Sequence, residues 1–62
     1  MSKNDELYNM AVSARYIAEA SMDPVKYERA AELFRKAGYN QAAKHMLDRA
    51  WYYREILEGE AK

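Results

Sequence analysis

Only two places in this sequence interrupt what could otherwise run as one helix: Asp23-Pro24, and the joint Gly38-Tyr39-Asn40. They divide the 62 residues into three segments whose apolar side chains recur at three- and four-residue steps, the spacing of one face of a helix. Aspartate caps free backbone amides, and proline tolerates the first helical position, where its missing N–H costs nothing. Glycine supplies the left-handed residue that commonly closes a helix, and connections this short force consecutive helices to fold back on one another. The pattern predicts an all-α chain, an antiparallel three-helix bundle or a helical hairpin with a third helix, with helices at about residues 3–21, 24–37 and 40–58.

Within the first segment Ser2 is placed to cap amides near Asp5, and Leu7, Met10, Ala11, Ala14, Ile17 and Ala18 mark the inner face. In the second, Tyr27, Ala30, Ala31, Phe34 and Ala37 line one side with Leu33 at its edge. Glu28, Arg29, Glu32, Arg35 and Lys36 lie opposite. Gly38 closes that helix and sets Tyr39 for an apolar contact back to Phe34, while Asn40 can cap the next. Along the third, Ala43, Met46, Ala50, Tyr53 and Leu57 repeat with Leu47 beside them, up to the polar tail Gly59 to Lys62.

A chain of this length fits a single domain, residues 1–62, and buries only about 60% of the surface its unfolded form exposes, so self-association bears on its stability. Ten basic and ten acidic residues leave no net field to draw it to nucleic acid or an anionic membrane. The absence of cysteine excludes disulfides and thiolate chemistry. The N-terminus MSKNDELYNM is polar where a secretory signal needs an apolar run, and no stretch reaches transmembrane length. The expectation is a cytoplasmic protein with no membrane association.

The stretch from Tyr27 to Tyr53 resembles tetratricopeptide-type helical repeats. Tyr27, Ala30, Leu33, Phe34 and Ala37 precede the joint Gly38-Tyr39, and Ala42 or Ala43 follows it; upstream, Ala14, Ile17 and Ala18 fall on packing positions of a first helix. The bulky aromatic of that pattern is absent at Ala14, no proline follows the second helix, and a step of 34 residues from Ala14 reaches Asp48, so one hairpin plus a covering helix is present. The resemblance implies a scaffold that binds peptides or proteins in a groove lined by its first helices. It implies no chemistry.

Apolar residues remain after the inner faces are assigned. Tyr8, Val12 and Tyr16 form a second stripe on the first helix; His45, Tyr52 and Ile56 form one on the third, with Trp51 on the other edge beyond Leu47. Tyrosine and tryptophan give large contact areas at low entropy cost, so Tyr8, Val12, Tyr16, Trp51, Tyr52 and Ile56 are the candidate partner-binding residues, for a protein partner or a second copy. The bland alternative is a widened core boundary with polar tips in water.

A helix-turn-helix regulator is the competing reading, with Asn40, Gln41, Lys44 and His45 opening a would-be recognition helix. Against it, Phe34 stands where that motif needs a small residue, Lys44 where it needs an apolar one, and Asp48 would face phosphates. His45 with Asp48 makes an incomplete metal site, and Glu55, Glu58 and Glu60 read as a solubilising end. No glycine-rich loop, thiol or paired acid marks an enzyme, so neither catalytic residue, cofactor, metal nor small-molecule substrate is expected.

Overall fold

The structure is a computed structural model that describes the backbone of residues 3–61 and the side chains of residues 5–59. It is an all-α three-helix bundle: α1 (Lys3–Ser21), α2 (Pro24–Lys36) and α3 (Asn40–Ala61). The cap expected of Ser2 lies outside the described residues. α2 packs against both neighbours, whereas α1 and α3 make little contact with each other. Tyr8 of α1 meets Phe34 near the far end of α2, and Tyr27 near the start of α2 meets Tyr53 of α3, so each consecutive pair runs antiparallel.

Both turns form by the local chemistry of their residues. At the second, the Tyr39 N–H donates to the Phe34 carbonyl at 2.9 Å and the Gly38 N–H to the Arg35 carbonyl at 3.0 Å, the paired bonds of a Schellman closure, with Gly38 at φ 91. The Ala43 N–H then donates to the Tyr39 carbonyl at 3.0 Å, so Tyr39 holds the capping position and Asn40 is already inside the helix. At the first turn the Asp23 carboxylate accepts from the Val25 N–H at 2.9 Å, and Pro24 follows as the first helical residue.

Met22 closes α1 with φ 54, a left-handed conformation that costs an L residue about 1 kcal/mol, and its exposed side chain recovers little of that by burial. Met22→Gly is therefore expected to stabilise the domain by roughly 0.5–1 kcal/mol, read as a rise in the denaturant midpoint at unchanged slope.

The core is built mostly of alanine. Among the described residues, seven of the ten in the core are alanines, joined by Tyr27, Phe34 and Met46 as the large side chains. Alanines let helix axes approach closely, but they bury little apolar area per residue. On α1 the inner stripe is narrow: Ala11 and Ala18 are fully buried, Val12 and Ala14 pack beside them, and Met10 and Ile17, expected inside, are exposed. A helix with one neighbour buries one narrow stripe, and Met10 and Ile17 fall on its far edge.

α3 continues past Glu58, where the sequence reading ended it, to Ala61. Its 22 residues against 13 in α2 leave roughly 13 Å of helix with no α2 beside it. Leu57 continues the core-facing stripe into that overhang and is exposed for want of anything to cover it.

Candidate functional site

A polar cleft of about 290 Å³ opens between α1 and α3 over the middle helix, lined by Glu19 of α1, Tyr27 of α2 and His45, Arg49 and Tyr53 of α3. Its floor follows from the turn geometry: the Asp23-Pro24 cap starts α2 so that Tyr27, one turn in, points between the two flanking helices. There it stacks on Tyr53, ring centroids 5.5 Å apart at an interplanar angle of 14°. Tyr52 meets Tyr53 edge-on at 5.3 Å, which extends the aromatic wall outward along α3.

The other half of the cleft side is apolar. Tyr8 packs edge-on against Phe34 at 6.1 Å and against Tyr39 at 4.8 Å. Tyr8 thus lies against the rings of both Phe34 and Tyr39, and the Tyr39 N–H is bonded to the Phe34 carbonyl. Val12 is half-buried against the core one turn further along.

Arg15 lies 3.5 Å from Glu19 and its guanidinium sits 5.3 Å above the Tyr16 ring, so part of the Glu19 charge is already met within α1. Arg49 and His45 make no hydrogen bond or ion pair with another described residue, which leaves donors facing the cleft.

Burial raises the pKa of the Tyr27 hydroxyl above the ordinary tyrosine value, with Tyr53 and Glu19 adding in the same direction and Arg49 opposing. A group held more strongly protonated in the folded state contributes stability below its unfolded pKa of 10.0 and loses it as pH climbs through the raised folded value. Melting temperature should therefore fall above pH 10.0 in the wild type, and Tyr27→Phe should flatten that alkaline decline, measured by circular dichroism across the range.

The six candidate residues divide between two faces. Val12 packs against the core, Tyr8 is exposed at its edge with its ring against Phe34 and Tyr39, Tyr16 is exposed beside them, and Tyr52 and Ile56 stand exposed on the cleft side of α3 with His45. Trp51 is on the opposite flank of α3, against Leu47, Ala50, Glu28 and Arg54. Glu19 and Arg49 went unread in the sequence. Glu19 extends the Tyr8–Val12 stripe by seven residues, and Arg49 completes the spacing His45, Arg49, Tyr52, Ile56; that both stripes meet over Tyr27 is invisible until the helices are assembled.

Asn40, Gln41, Lys44 and His45 are exposed at the start of α3. However, α3 runs back along α2 until Tyr53 reaches Tyr27 and Arg54 pairs with Glu28, whereas helix-turn-helix motifs cross at roughly 90–120°. Among the described residues no three histidine, aspartate or glutamate side chains come together, and no helix is long and apolar enough to cross a membrane. No family model matches the sequence, and no curated protein or solved structure does so either.

Proposed function

We propose that this chain is a small non-enzymatic interaction module, tetratricopeptide-like in its hairpin, that holds a segment of a protein partner in the cleft between α1 and α3. The observation that carries this reading is the inversion of its apolar content: alanine fills the interior, while Tyr16, Tyr52, Ile56 and nine further large apolar side chains are exposed. Of these, Tyr16, Tyr52 and Ile56 stand beside the cleft, and apolar side chains grouped at the rim of a polar hollow mark recognition surfaces on soluble domains. The cleft adds hydrogen-bond donors at Arg49 and His45 and rigid aromatic walls at Tyr53 and Tyr52, the residue types that anchor interfaces.

Tyr16 and Tyr52 are the residues to change, because Tyr8 also supports Phe34 and Tyr39 and its loss would disturb the fold. The double variant Tyr16→Lys with Tyr52→Lys should lose the proteins that the wild type retains in a quantitative pull-down, at unchanged helicity by circular dichroism. Retention of the same proteins by the variant would contradict the reading.

A further inference from the structure

We propose that a second copy of this chain docks on the outer flank of α2 and α3, with Leu47 and Trp51 of each copy seated on the alanine floor of the other. This face is turned away from the cleft and does not depend on the function proposed for it. Trp51 at 66% is the most exposed of the large apolar side chains among the described residues, and Leu47 beside it is 52% exposed. Leu47 separates two adjoining hollows. One, about 210 Å³, has Ala31 and Ala43 as its floor. The other, about 320 Å³, lies between Ala50, Trp51 and the Glu28–Arg54 pair.

Four observations select a second copy as the occupant. The rim carries both signs, Glu28 and Glu32 against Arg35 and Arg54, as a patch must if a two-fold axis lays it on itself. Arg35 makes no ion pair with another described residue and is free for a carboxylate of the other copy. The net charge is zero, so two copies meet without long-range repulsion.

The fourth is area. The accessible surface is 4733 Å², while a folded monomer of 7.3 kDa is expected to expose roughly 4,200 Å². The chain thus exposes roughly 550 Å² more than a compact monomer of its mass, surface that association can cover. An alanine core leaves the single chain short of buried area, and small domains commonly make this up by association.

Trp51 is the single tryptophan, so its emission reports on the contact directly. Sedimentation equilibrium of the purified full chain over a wide dilution series should give twice the 7.3 kDa chain mass at high concentration, falling to the single-chain mass on dilution. The Trp51 emission should shift to the red in step. Leu47→Glu should raise the dissociation constant at least about tenfold with helicity retained, and Tyr52→Lys, on the cleft side, should leave it unchanged.

If Leu47→Glu fails to fold, Trp51→Lys, at a more exposed position, decides by the same mass measurement. A single-chain mass at every concentration overturns the proposal, as does a dimer indifferent to the folded Leu47 or Trp51 variant, or one dispersed by Tyr52→Lys instead. Failure of the partner pull-down with this dimer intact would count against the cleft alone.

Discussion

Replacing Phe34 with alanine is expected to abolish the cooperative unfolding transition of this domain at room temperature. Phe34 is 2% exposed and is one of three large side chains in the core among the described residues. Phenylalanine-to-alanine changes at such sites cost about 3–5 kcal/mol, from lost transfer energy plus the cavity left behind. A domain of 62 residues has a total stability of about 3–9 kcal/mol, and in the lower half of that range, where an alanine core of little buried area places this chain, the single change removes most or all of it.

The loss also propagates outside the core, because Tyr8 rests on Phe34 and Tyr39 rests on Tyr8. Far-UV circular dichroism against temperature and urea measures the outcome. A variant that still melted cooperatively, within about 1 kcal/mol of the wild type, would show that the aromatic chain Phe34–Tyr8–Tyr39 is not what holds α1 to the second turn.

Enlarging an interior alanine tests the opposite property, closeness of approach. Ala30 is 0% exposed on the helix that both neighbours pack against. Were the helices loosely spaced there, Ala30→Leu would fill space and stabilise the domain by added burial. Because the spacing is set by alanines, the added carbons must push helix axes apart, and we expect a loss of about 2–3 kcal/mol. Val25→Leu, at an exposed position of the same helix, should change stability by less than about 0.5 kcal/mol. Urea denaturation of the two variants gives the comparison, and its sign is the informative part: a gain for Ala30→Leu would mean slack in the alanine contacts.

Helix boundaries were legible wherever a backbone signal is local. Asp23-Pro24 starts α2 and Gly38 closes it because a capping oxygen, a fixed proline φ and a left-handed glycine act within a few residues of chain. The far end of α3 lies beyond the expected Glu58 for the converse reason. Gly59 and its acidic neighbours carry no stop as strong as proline, and glycine near a helix end costs only about 1 kcal/mol, so the helix continues to Ala61.

The candidate site was half legible. Periodicity exposed the stripe Tyr8, Val12, Tyr16 and the stripe His45, Tyr52, Ile56 as leftovers after the inner faces were filled. It could not say that Tyr8 would turn toward Phe34 and Tyr39 while Met10 and Ile17 were left outside, since both edges of α1 carry apolar residues at the same spacing.

The sequence by itself determined three amphipathic helices, their two tight corners and an interior of alanine, because each depends on φ/ψ preference and on spacing within one helix. The tertiary structure alone decided that Tyr27 floors a cleft between α1 and α3, that Tyr39 rests on Tyr8, and that Glu28 and Arg54 pair beside Trp51. The physical reason is that a helical period fixes which residues share a stripe, whereas the direction a stripe faces is settled by which neighbouring helix arrives to cover it.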